Sequence, residues 1–247
     1  MRNAEHTPGG IEIKKPYIQI LHQGDVSFGG SQAWFSDRTL SGYGCGLIGA
    51  ADVLIYLYRN QNIGEKCSRM HESNDQAETP CEEHVYQNYV GSLRREFFPV
   101  FPKVGISGWV LVLGLRRCFR RYHLPYTVRW GVRRVHMRTA VEEMLRADIP
   151  VLFSVGPNFP WLWGKHGVPL YTKGQGCKFI KSQDIRAHYM VATAMSGDKL
   201  KVSTWGREYY LDWNEYQEYI QKHSCSLYSN ICYITNRQRV YNRRGTK

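Results

Sequence analysis

No apolar run in the sequence is long enough to cross a bilayer: Trp109 to Leu115 and Ile149 to Val155 fall far short of the ~20 residues a spanning helix needs. No membrane span is expected. Internal repeats and low-complexity tracts are also missing, which excludes solenoids and long tethers. The opening segment MRNAEHTPGGIEIKKPYIQIL has no apolar stretch behind a basic start, so no secretory signal is read and a cytoplasmic location is expected. Cysteine forms no framework. Its seven positions, 45, 67, 81, 118, 177, 225 and 232, are odd in number and widely spread, so reduced thiols are expected, at least one of them free for chemistry. Acidic residues are scarce, 21 against 33 Lys and Arg for a net charge of +12, which raises an anionic partner as a possibility.

Hydrophobic residues make up 43% of 247 positions and aromatics 13%, enough to bury a core without a disulfide or metal staple. Ser41 to Cys45 is rich in turn residues and runs straight into GLIGAADVLIYLYR, where apolar residues recur at helical spacing, so Cys45 opens a buried helix. Residues 61–81 are polar and broken by Pro80, and Glu82 to Phe98 reads as an amphipathic helix. Ser107 is placed to cap a helix from Trp109 to Tyr122; Tyr126 to Val132 reads as a strand, Thr139 to Arg146 as a short helix and 149–155 as a buried strand. Residues 156–180, rich in Gly and Pro, read as a lid-like loop. Beyond it come a strand from His188, a hairpin turn at 196–199, strands at Leu200 to Thr204 and Arg207 to Leu211, a helix capped by Asp212, and a last strand at Asn230 to Thr235. Helices first and an antiparallel sheet afterwards predict an α+β fold. Residues 1–15 form an N-terminal extension and 236–247 a basic tail.

A cysteine at the N-terminus of a buried helix has its thiolate favoured by the helix dipole and by unpaired backbone amides, which makes Cys45 the candidate nucleophile. Among nine histidines, His188 alone begins an apolar strand, HYMVATAM, beside a hairpin and a Trp-Gly corner, and so is the candidate base.

HQGD (22–25), TLSGYGCG (39–46), AHYMVATAMSGDKLKVSTWG (187–206) and YYLDWNEYQEY (209–219) together resemble a papain-like cysteine peptidase. More narrowly, they are similar to bacterial relatives of the bacteriocin-processing, double-glycine peptidases. The resemblance spans 16–60 and 139–221 and leaves 61–138 as an unmatched insertion within one papain-like domain over 16–235. It implies a helical part carrying the nucleophile, packed on an antiparallel sheet carrying the His. Cys45 would attack, His188 would act as base, and Gln23, through its place in HQGD ahead of the Cys, would help bind the oxyanion. Gly44, Gly46, Trp205 and Gly206 would border the substrate, a peptide or protein, and no metal or organic cofactor is implied. The chain departs from the family at two places. Where an Asp or Asn should orient the His it has Ser203-Thr204-Trp205-Gly206, so a hydroxyl of Ser203 or Thr204 takes that role without supplying charge, and Leu47 replaces the Pro after Cys-Gly. A weaker enzyme is expected. Amidases, acyltransferases and inactive binding modules share such folds.

Two other patterns carry weaker signals. Cys67, His71, Cys81 and His84 interleave two ligand types without the usual zinc spacing, so a polar loop is read there. From Arg94 to Arg138 eleven Arg or Lys face a single Glu96, with Trp109, Tyr122, Tyr126 and Trp130 among them. A nucleic-acid or anion face is the alternative to a solvated helix surface, and without a nucleic-acid motif the solvated surface is preferred.

Overall fold

In the computed structural model, which describes residues 10–59, 80–157, 166–174, 176 and 178–237, every residue from Gly46 to Leu57 is buried within one helix, α2 (Cys45–Arg59). A helix apolar on all sides belongs at the centre of a fold. It follows α1 (Arg38–Tyr43), whose first turn is capped by the Asp37 carboxylate accepting from Leu40 N at 2.8 Å. Gly44 is the elbow between the two: its N–H closes α1 on Leu40 O and its carbonyl accepts the Ile48 N–H that opens α2.

The surface against α2 is antiparallel. β9 (His188–Ser196) pairs with β10 (Lys199–Thr204) along one edge, and along the other with β6 (Val151–Val155) and β1 (Ile11–Glu12). The sheet continues through β11 (Arg207–Asp212) to the hairpin of β7 (Val168–Lys173) and β8 (Phe179–Ile185), seven strands in all. Gly49 makes the close approach of helix to sheet: a Cβ there would stand 2.6 Å from Leu152 Cδ1 and 3.4 Å from Val191 Cγ2. Two small sheets flank this centre, β2 (Gln19–His22) with β3 (Asp25–Phe28) and β4 (Cys81–Glu82), and β5 (Tyr126–Trp130) with β12 (Cys232–Asn236). Helices α3 (Glu83–Glu96), α4 (Gly108–Arg121), α5 (Arg134–Arg146) and α6 (Trp213–His223) complete the α+β arrangement. Ser107 caps α4, and the Asp212 carboxylate caps α6 by accepting from Asn214 N and Glu215 N.

Differences from the sequence reading lie where partners are remote. Within the segment read as a lid-like loop, residues 168–173 and 179–180 belong to strands β7 and β8, because Val168 and Leu170 are fully buried and β7 is held by β11; residues 158–165, 175 and 177 of that segment lie outside the described residues. α5 begins at Arg134, five residues before the expected start. Strands β1 to β4 and helix α1 were not anticipated. Cys67 and His71 fall outside the described residues, while Cys81 is buried in β4 and His84 lies on α3. No helix among the described residues is long and apolar enough to cross a membrane.

Candidate active site

Cys45 is the first residue of α2, and His188 is the first of β9. Because α2 packs on β9, both line one small cavity together with Gly30, Gln32, Asp52 and the tip of the β10–β11 hairpin. Its volume, about 20 Å³, suits one water or one carbonyl oxygen. Gly46 lets Ile106 and the Tyr189 ring pack directly on α2, since any Cβ there would run into both.

The His188 ring is fixed from two sides. Its Nε2 lies 2.6 Å from Thr204 Oγ1, and the Trp205 indole stacks on it with centroids 4.5 Å apart and planes 25° off parallel. Nδ1 makes no hydrogen bond among the described residues. Ser203 is turned elsewhere and donates to Phe28 O at 2.8 Å, so of the two hydroxyls named from the sequence only Thr204 meets the imidazole. The stacking residue sits in a strained backbone. Trp205 (φ 51°) and Gly206 (φ 72°) form the two-residue turn between β10 and β11, and Ala187 (φ 50°) precedes the histidine. Left-handed conformations at non-glycine residues on both flanks of one ring are the kind of cost a fold sustains at a functional position. The surroundings impose them: Gly206 N donates to Gly30 O and Phe28 N to Gly206 O, each at 2.9 Å, pinning the hairpin tip to the 28–32 strap.

Gln23 is not brought to this cavity. HQGD is the tip of the β2–β3 hairpin, where His22 pairs with Asp25 and both central residues are left-handed, Gln23 at φ 52° and Gly24 at φ 89°. That is the chemistry of a tight hairpin turn, and Gln23 is exposed there. The glutamine lining the cavity is Gln32, in the 3₁₀ turn Gln32–Trp34. Its Nε2 donates to Ser41 O at 2.9 Å, and its Oε1 is buried with no hydrogen-bond partner among the described residues. Sequence reasoning weighed HQGD and passed over the SQAW segment, which also precedes the cysteine.

Asp52 was missed as well. It is 2% exposed and accepts three hydrogen bonds: from Tyr86 Oη at 2.7 Å, Gly30 N at 3.0 Å and Tyr17 Oη at 3.2 Å. Burial and the neighbouring carboxylate push the Tyr17 and Tyr86 phenols up, which keeps both as donors. The signal was present in the sequence: a lone carboxylate in an apolar helix, seven residues after Cys45 and therefore on the same face.

The electrostatics depart from the sequence expectation. Burial pushes the Cys45 thiol above its ordinary value, although the amides of Tyr189, Gly46 and Cys45 itself pull it down. Burial also lowers His188 from 6.5 to about 4. Desolvation outweighs the helix terminus, so the site rests as neutral thiol and neutral imidazole. Asp52 is raised by burial to about 6, against the pull of its three donors. Among the described cysteines, 45, 81, 118, 225 and 232 are free thiols. With this geometry in view, the chain was compared with known proteins, and it matches no protein-family model, no curated protein and no solved structure.

Proposed function

We propose that the chain is a papain-like cysteine peptidase or amide hydrolase that works by thiolate acyl transfer. The observation that carries the reading is the shared cavity of Cys45 and His188, with His188 Nε2 held on Thr204 Oγ1 at 2.6 Å. A helix-borne sulfur and a strand-borne imidazole lining one cavity where a helix packs on an antiparallel sheet agree with a papain-like arrangement. With Nε2–H donating to Thr204 Oγ1, the lone pair of Nδ1 takes the Cys45 proton. The sulfur then attacks the substrate carbonyl carbon, and the resulting oxyanion accepts from the Cys45 N–H and Gln32 Nε2. The imidazolium gives its proton to the leaving nitrogen as the C–N bond breaks. Water, deprotonated by His188, cleaves the thioester, releasing a carboxylic acid and restoring the thiol.

A hydroxyl orients the ring but adds no charge to stabilise an imidazolium, so turnover is slow. The same feature favours a second reading, a papain-fold binding module without turnover: both burial shifts oppose the ion pair. The test is hydrolysis of a peptide library and carbamidomethylation of Cys45 across pH. The enzyme reading expects kcat/KM to fall on the acid side near 4, where His188 protonates, and on the alkaline side above 9, the thiol's ordinary value. Slow, unselective alkylation without hydrolysis would leave the binding module.

A further inference from the structure

A second concavity, of about 860 Å³, opens between the first turn of α4, the face of α5 that carries His136, Thr139 and Glu143, and the β5–β12 pair. It adjoins the candidate active site: Trp130, in its wall, lies 6.3 Å ring to ring from Tyr189, and Tyr189 lines the Cys45 and His188 cavity. Its walls are held in place. Asn230, 3% exposed, accepts from Val132 N at 3.0 Å and Ile231 N at 2.9 Å and donates to Val132 O at 3.1 Å and Ser226 O at 2.7 Å. Trp130 Nε1 donates to Leu227 O at 2.9 Å. A rim fixed this way is formed before any ligand arrives.

What the groove presents is unspent. Trp109 is 61% exposed and Leu227 53%, an apolar area that water disfavours. Arg129 lies over the Tyr233 ring at 4.8 Å, and neither it nor Arg133 pairs with a carboxylate among the described residues. The one acid among the described lining residues, Glu143, accepts from Tyr233 Oη at 3.1 Å. Two unpaired guanidinium groups beside an open indole fit discrete carboxylates flanking a large apolar side chain.

We infer that this groove seats an acidic segment of the peptide substrate, carboxylates on Arg129 and Arg133 and an aromatic side chain against Trp109. The inference rests on the peptidase reading, and the Trp130–Tyr189 ring pair joins a wall of the groove to a wall of the Cys45 and His188 cavity. The experiment uses the full chain carrying Cys45→Ala and fluorescein-labelled peptides with alternating Glu and Phe, or Gln and Phe, read by anisotropy at low and high salt. The Glu peptide should bind roughly tenfold or more tightly than the Gln peptide, with the difference shrinking as salt rises. Trp109→Ala, a change at an exposed position, and Arg129→Gln with Arg133→Gln should each weaken it by about tenfold. Equal binding of the two peptides, or binding indifferent to both sets of substitutions, overturns the inference. So does tighter binding of a single-stranded oligodeoxynucleotide of equal length. Hydrolysis by the unsubstituted chain is scored separately. Groove-dependent binding with no cleavage of any peptide sinks the peptidase reading and keeps the acidic-peptide site, while cleavage with no preference for acidic sequences sinks the site alone.

Discussion

Cys45 and Asp52 stand two turns apart on one face of α2 and line the same cavity, and burial raises the pKa of both. Their partners differ. Asp52 accepts from two phenols and the Gly30 amide, so it holds the 28–32 strap, through Gly30, and the Tyr17 and Tyr86 segments to the helix. The sulfur's hydrogen bonds come from backbone amides, and the ring that shares its cavity is bound at Nε2 and open at Nδ1 among the described residues. Saturation makes an anchor; incompleteness makes a reactive group. Gln32 belongs to both ends, since the strap that Asp52 anchors is the one that carries it to the cavity.

The largest effect that would sharpen this contrast is loss of the nucleophile. Cys45→Ala should lower peptide hydrolysis at least ~10³-fold with the circular dichroism spectrum unchanged, because little volume is removed. A variant that retains activity would break the assignment of roles.

The second test is a pair of opposed pH slopes. His188, at about 4 folded against 6.5 ordinarily, resists protonation, so the stability it preserves is lost as pH falls from 6.5 towards 4. Asp52, at about 6 folded against 3.8, keeps its proton longer than the unfolded chain does, so its contribution is complete below 3.8 and is lost as pH rises through 6. Each swing is about 3 kcal/mol, and they nearly cancel. In urea titrations between pH 4 and 6.5, His188→Phe should therefore lose stability with rising pH and Asp52→Asn should gain it. Slopes of the same sign would show that one of the two groups is not buried as described.

Thr204→Val should remove the hydrogen bond to His188 Nε2 and cut kcat by about 10²-fold, whereas Ser203→Ala, which loses the bonds to Phe28 O and the Tyr17 phenol but none to the ring, should cost less than tenfold. Reversal of that order would move the orienting role to Ser203. The smallest effect concerns the platform that both ends share. Gly49→Ala pushes a methyl against Leu152 Cδ1 and should lower stability by about 1–3 kcal/mol, with little effect on the pH slopes; an unchanged unfolding midpoint would mean that α2 can move off the sheet freely.

Local patterns made much of the fold legible. The apolar period of α2, Ser107 and Asp212 as caps, the turn at 196–199 and the alternation of β9 to β11 act between residues close in the chain, so they could be read without coordinates. The hairpin at 168–185 could not, because its strands are held by a sheet edge formed elsewhere and composition alone suggested a loop. Strands as short as β1 and β4, two residues each, carry no period of their own.

The site divides along the same line. The sequence by itself determined that a cysteine opens a buried helix and that a histidine opens an apolar strand, since both follow from local pattern and side-chain chemistry. Tertiary structure alone decided that Gln32 rather than Gln23 reaches the cavity, that Thr204 rather than Ser203 meets the ring, that Asp52 ties strap to helix, and that desolvation prevails over the helix terminus at Cys45. Each of these depends on groups far apart in the chain and on the water excluded between them, and neither spacing nor composition encodes that exclusion.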